Sequence, residues 1–395
     1  MGGAAVPRVG SPRRDPEARG CTVAGTTRVL IAADKFKGSL TAVEVAGHVT
    51  AGLRRAAPGV RVSALPVADG GDGTVAAALA SGFERREARV TGPVGEPVAA
   101  AYALRPADRT AVVELAEASG LRRLPPGGGA PLSATTRGTG ELLRAALDAG
   151  ARTIVLGVGG SATTDGGAGL LTALGARLLD CDGRPVGPGG GALAALAAAD
   201  LSGLDPRLAR TRIVLASDVD NPLTGPRGAA AVYGPQKGAG PADVAVLDAA
   251  LAHYARVLDG GRLAAAPGAG AAGGAGYGAL AALGATFRPG IEVMLDVLGF
   301  EAAVEDADLV ITGEGSLDEQ TLHGKAPVGV ARAAHGRPVV AVCGRLTLSE
   351  EALAQTGIDR AYPLTDLEPT PSRCLQNAGP LLQQTAERIA RDYLT

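Results

Sequence analysis

Short apolar runs recur along the chain, and each breaks off into glycine and acidic residues. That rhythm predicts buried strands delivering polar loops at one edge of a sheet. Residues 28–33 read as the first strand, which runs out into Asp34-Lys35-Phe36-Lys37-Gly38-Ser39. Thr41 and Glu44 then make a capping box for a helix that stops at Pro58-Gly59. A second strand over residues 60–66 feeds Val67-Ala68-Asp69-Gly70-Gly71-Asp72-Gly73-Thr74 and a helix over 75–79. From about Phe83 the pattern changes: residues 87–90, 98–104 and 110–114 have strand character with glycine and proline turns between, as in hairpins or a mixed sheet.

Thr135-Thr136-Arg137-Gly138-Thr139-Gly140 leads into a helix over 141–149 and then a buried strand over 153–157. That strand opens onto Gly159-Gly160-Ser161-Ala162-Thr163-Thr164-Asp165-Gly166-Gly167-Ala168-Gly169, with a helix over 169–174 behind it. Backbone N–H groups and a helix N-terminus would then face the loop as an anion cradle, with phosphate as the natural guest. Residues 213–216 form another short strand, delivering Ser217-Asp218-Val219-Asp220-Asn221-Pro222-Leu223. Residues 268–278 are the most glycine-dense part of the chain, for which a flexible linker is the plain alternative to a packed element. Near residue 290 the alternation of strand and helix returns, with strands over 309–311 and 338–343, a helix over 326–335, and a terminal helix ending near Tyr393.

The pattern predicts an α/β fold of two domains. A Rossmann/flavodoxin-like parallel-sheet domain over residues 28–85 and 290–395 is split by an inserted α/β domain over 86–289. Ligands of open α/β sheets collect outside the carboxyl ends of the strands, so the stretch from Leu309 to Pro327 is an expected wall of that site.

Composition narrows the partners. Residues 1–27 lack the apolar mass to fold and are read as a disordered extension. A formal charge of -2 and 3% aromatics favour a small molecule and speak against nucleic acid or an anionic membrane. No run of about 18 to 20 apolar residues suggests a membrane span. The four cysteines are scattered without metal or disulfide spacing, as in a cytoplasmic protein. Monomer and homodimer are both left open. Of 38 basic residues only four are lysine, Lys35, Lys37, Lys237 and Lys325, each in a glycine-rich polar stretch where a compact charge would suit a phosphate or carboxylate.

Familiar motifs are mostly missing. Gly315 to Gly324-Lys325-Ala326 has the wrong spacing for a P-loop, protein-kinase signatures are absent, and Thr163 breaks a nucleophile elbow. Gly157-Val158-Gly159-Gly160-Ser161-Ala162 does satisfy a dinucleotide fingerprint, with Asp180 near the ribose-binding spacing. An NAD-linked oxidoreductase acting on a small hydroxy acid is therefore one alternative, although Thr163, Thr164 and Asp165 make the turn long and polar.

Five ordered motifs carry a resemblance: residues 33–39, 68–74, 159–167, 218–223 and 312–318 together resemble the type-1 glycerate kinases, from Arg28 to the C-terminus. Arg137 departs from the pattern, where an aromatic residue is usual. The resemblance implies ATP-dependent phosphorylation of D-glycerate, on the 2-hydroxyl to give 2-phosphoglycerate, by a two-domain α/β protein with the active site in the cleft.

Phosphoryl transfer requires aligned phosphates, Mg²⁺, cations on the developing charge and a carboxylate to take the hydroxyl proton. Asp218, Glu314 and Asp318 are the expected Mg²⁺ donors, with Asp69, Asp72 and Asp165 as alternates. Gly159, Gly160, Ser161, Thr163, Asp165 and Gly166 are assigned to nucleotide phosphates. Lys35, Lys37 and Lys325 are assigned to the glycerate carboxylate or the transferring phosphoryl group, with Ser39, Asp69 and Asn221 beside the substrate. Asp218 or Asp318 would be the base. The plain alternative for each carboxylate is a helix N-cap or Asx turn. A non-catalytic carboxylate-binding module of the same fold is the third reading.

Overall fold

The structure is a computed structural model and describes residues 27–125 and 127–394. Thr27 apart, the expected disordered extension lies outside the described residues. The first strands are β1 (Arg28–Ala33), β2 (Arg61–Ala64), β3 (Glu84–Thr91), β4 (Pro97–Arg105), β5 (Thr110–Glu114) and β6 (Thr153–Gly157). They are followed by β7 (Arg177–Leu179), β8 (Ala198–Asp200), β9 (Arg212–Ala216) and β10 (Thr286–Arg288). The last are β11 (Leu309–Leu317), β12 (Val339–Leu346) and β13 (Arg360–Pro363).

Two sheets are built from these. One is wholly parallel in the order β13-β12-β11-β1-β2, so strands from both ends of the chain lie side by side. This is the flavodoxin-like order, which reverses between β1 and β11, the place where ligands of such sheets bind. The other sheet runs β10-β9-β6-β5-β4-β3, parallel from β10 to β5 and antiparallel through β4 and β3. The hairpin pattern after Phe83 is the origin of that antiparallel edge.

Alternate residues of each parallel strand point to opposite faces, which assigns every apolar position a core. Val29, Ile31, Leu309, Ile311, Val340 and Val342 pack against the helices Ala42–Ala56 and Ala378–Tyr393. Leu30, Ala32, Val310 and Ala341 face the other way, into a core that also holds Val112, Val155 and Val214 of the second sheet. The helices Thr74–Ala80 and Gly290–Leu298 contribute Ala77, Ala78, Ile291 and Met294 to that shared core. Each large apolar side chain so enclosed is worth about 1.5–3 kcal/mol.

Three segments differ from the sequence pattern. β11 does not end at Ile311 but continues to Leu317, paired with β12 as far as Leu346. Gly313 and Gly344 permit this: a Cβ at Gly313 would lie 2.4 Å from Val342 O, and one at Gly344 2.5 Å from Gly315 O. The helix placed at 141–149 begins earlier, at Arg137, and ends at Asp148. Residues 268–278 are no linker: they enter the helix Ala271–Leu283, and Gly273 through Gly278 are buried.

The sheets meet through glycine. The loop after β2 lays its backbone across the ends of β6 and β9, with Gly159 N donating to Gly70 O at 3.3 Å. A Cβ on Gly159 would stand 2.4 Å from Gly71 Cα, and one on Gly290 would stand 1.8 Å from Asp69 O. Backbone cannot yield as a flexible side chain can. Gly159→Ala is therefore expected to destabilise the protein by about 1–3 kcal/mol, read as a lowered thermal midpoint; an unchanged midpoint would contradict this packing.

Candidate active site

The register sets the site. Ala33 pairs with Gly313, so Asp34 and Glu314 emerge side by side where β1 stops, and Asp34 N donates to Gly313 O at 2.9 Å. In the second sheet Glu114, Gly157 and Ala216 are aligned, so Val158 and Ser217-Asp218 emerge together. Because the two sheets touch at their strand ends, these loops open onto common ground.

Two spaces lie there. A cleft of about 890 Å³ is lined by Asp34, Lys35, Lys37, Ser39, Asp69, Asp72, Arg122, Gly160, Glu314, Asp318 and Lys325. A pocket of about 240 Å³ is lined by Asp69, Gly159, Gly160, Ser161, Asp218, Tyr233, Gln236 and Lys237. Asp69 and Gly160 line both.

Carboxylates dominate the junction. Burial and the charge of Asp69 push Asp34 up to about 7, with Lys35 pulling the other way. Burial, then Asp69, likewise pushes Asp218 up to about 7, although Gly290 N donates to its Oδ1 at 2.8 Å. The second oxygen of Asp218 is buried without a hydrogen-bond partner. Glu314 is raised to about 7 by burial, opposed by a 2.5 Å hydrogen bond from Thr321 Oγ1 and by Lys325. Among the described residues, no three His, Cys, Asp or Glu converge to enclose a metal. Mg²⁺ does not need such a cage: it is bound by one or two carboxylates and completed by phosphate and water. Asp34, Asp69 and Glu314, oxygen donors that line the cleft near enough for Asp34 and Glu314 to feel the charge of Asp69, fit that requirement.

The cations divide by partner. Lys35 Nζ donates to Asp72 O, and Lys325 Nζ to Gln320 Oε1 at 3.1 Å. Lys37 is exposed on the cleft wall. Arg122 bridges Asp72 at 2.6 Å, Glu114 at 3.4 Å and Glu117.

Several expected roles change. The helix N-terminus after the loop is no phosphate cradle, because Asp165 already occupies it. Its carboxylate is fully buried and accepts from Gly167 N, Gly169 N, Thr136 N and Thr136 Oγ1 at 2.8–3.2 Å. Thr163 is buried too, and a Cβ on Gly166 would strike Tyr254; of the six residues assigned to phosphates, Gly159, Gly160 and Ser161 line the small pocket, while Thr163, Asp165 and Gly166 line neither space. Asn221 lines neither space; its amide spans Arg227 O at 2.9 Å and the Tyr233 hydroxyl at 2.7 Å. Asp318 caps the turn Glu319–His323 through Gln320 N, at 3.0 Å, and Ser39 Oγ closes its own turn onto Phe36 O at 3.1 Å. Asp218, Glu314 and Asp318 do not converge, since Asp218 faces the small pocket and the other two face the cleft.

Asp34, Glu114 and Arg122 were not singled out by the sequence pattern. The signal for Asp34 was its place directly after the first strand; Glu114 and Arg122 carried none. The dinucleotide geometry is not formed either. Beside β6 lie β5 and β9, whereas Asp180 follows β7 in a separate two-stranded ribbon and closes a turn onto Asp182 N and Arg184 N.

Glu114 offers a pH test away from the carboxylate junction. Buried and accepting from Gly73 N and Val75 N, it is raised from 4.5 to about 7, chiefly by burial. Its folded pKa lies above the unfolded one, so between those values the folded state binds more protons and stability falls as pH rises. Glu114→Gln should flatten that fall in thermal denaturation across the window; an unchanged slope would contradict it.

Comparison with known proteins identifies the family. The family model described as the glycerate kinase family matches residues 29–394. The glycerate kinase of Bacillus subtilis (strain 168) is 47% identical over 369 residues, covering 92% of this chain and 97% of that one. The glycerate 2-kinase of Escherichia coli (strain K12) is 47% identical over 342 residues, covering 85% and 90%. A crystal structure from Salmonella typhimurium LT2, provisionally named glycerate kinase 2, superposes with a TM-score of 0.81 at 44% identity, covering 93% and 98%. The chain belongs to the glycerate kinase family.

Proposed function

We propose that this protein is an ATP-dependent D-glycerate 2-kinase working by direct in-line transfer. The observation that carries the reading is that Asp69 and Gly160 line both of two unequal spaces. The larger, with its lysines, suits a nucleoside triphosphate; the smaller suits a three-carbon acid.

In this reading the phosphates lie along Lys35, Lys37 and Lys325. The first and last each spend one of three ammonium donors on a protein oxygen and keep the rest for ligand. Asp69 and Glu314, beside Asp34, would hold Mg²⁺, which when bound neutralises charge on the transferring phosphates. The 2-hydroxyl of D-glycerate approaches from the small pocket. Its oxygen forms a bond to the γ-phosphorus as the bond from that phosphorus to the bridging oxygen breaks, and ADP leaves. Asp218 takes the hydroxyl proton: its free Oδ2 and a pKa near 7 match the task, because a base works best near the operating pH.

The protein is expected to release ADP only when ATP, Mg²⁺ and D-glycerate are all present, and proton-coupled ³¹P NMR of the product should place phosphorus on carbon 2. Asp218→Asn should lower kcat by about 10²–10⁴-fold with the fold intact. Glycerate binding without turnover, or glycerate-dependent reduction of NAD without ADP release, would overturn the reading.

A further inference from the structure

Lys237 stands apart from the chemistry described so far. It ends the short turn Pro235–Lys237 and is only 2% exposed, yet it lines the small pocket. Its ammonium nitrogen donates to Thr163 O at 2.6 Å, which uses one of three donors. Burial drives its pKa down to about 7, with Asp165 pulling back up.

An enclosed ammonium needs a counter-charge, since an unpaired charge away from water is costly. The nearby acid favours the charged form only through space, without pairing with it. Asp165 lies in no ion pair with Lys237 among the described residues, and its oxygens are taken up by Thr136, Gly167 and Gly169. Asp69 and Asp218 line the same pocket without forming an ion pair with Lys237. The small pocket therefore carries acids that can receive hydroxyl hydrogens and a separate cation with donors to spare. Tyr233 and Gln236, beside Lys237 in sequence, line the wall with it. The Tyr233 hydroxyl is turned onto Asn221, which ties the loop at residues 221–227 to this wall.

We infer that Lys237 is the residue that recognises the carboxylate of the acceptor, so that the small pocket selects a short hydroxy acid over a neutral polyol or amide. The inference rests on the kinase reading above. It removes the substrate carboxylate from Lys35, Lys37 and Lys325 and leaves those three to the phosphates. It also explains the retained lysine: the enclosed site admits a compact ammonium, whereas a guanidinium would need room for its planar fork.

Steady-state kinetics of Lys237→Met and Lys237→Gln, with D-glycerate and D-glyceramide as acceptors, test it. Each variant should raise KM for D-glycerate by about 100-fold, the effect of removing one partner of a buried charge pair. KM for ATP should stay within about twofold of the native value, which also reports an intact fold. The preference for D-glycerate over D-glyceramide should fall by the same factor as the D-glycerate KM rises, because only the acid loses a partner. An unchanged KM for D-glycerate in a variant that still binds ATP normally, or an equal loss for acid and amide, would overturn the inference and leave the kinase reading standing. A native protein that releases no ADP with D-glycerate would overturn the kinase reading and this inference with it.

Discussion

Backbone lying directly on backbone, where the loop after β2 crosses the ends of β6 and β9, is the constraint on which the rest of the site depends. Gly159 approaches Gly71 so closely that a methyl group would not fit, and Gly290 stands in the same relation to Asp69 O. Without side chains between them, the carboxyl ends of the two sheets are held close enough for Asp34, Asp69, Asp218 and Glu314 to sense one another's charge. A conventional side-chain interface would push the sheets apart and split the acids between two unrelated surfaces.

That closeness has an electrostatic consequence. Burial first, and then the charge of neighbouring carboxylates, raises the pKa of Asp34, Asp218 and Glu314 and opposes the compact fold when they ionise, a cost relieved by cations or by protons. Lys35 and Lys325 offset part of it from the cleft side. One cleft thus holds acids suited to Mg²⁺ and, beside them, lysines suited to phosphates. The same logic, reversed, governs Lys237, where a buried cation awaits an anion.

Much of this was written in local sequence. Strand ends were legible because apolar runs broke off into glycine and acid, and the helix after β1 was legible through its capping box, which Thr41 and Glu44 form as expected. Illegible features depended on distant partners. A Gly-Thr-Asp loop looks the same whether it faces solvent or core; Asp165 turned inward because Thr136, 29 residues earlier, offers it two donors. Lys237 drew notice as a rare lysine, but its burial arises from a carbonyl 74 residues away. The continuation of β11 was masked by its glycines, which serve strand pairing with β12 and not a turn.

The central claim is that one reaction is shared between two spaces that meet at Asp69. A crystal structure with D-glycerate, Mg²⁺ and a non-hydrolysable ATP analogue tests it directly. The account predicts the glycerate carboxylate within hydrogen-bond distance of Lys237 Nζ, its 2-hydroxyl toward Asp218, and the terminal phosphate in the large cleft beside Asp69. Glycerate bound among Lys35, Lys37 and Lys325, with the small pocket holding only water, would contradict it.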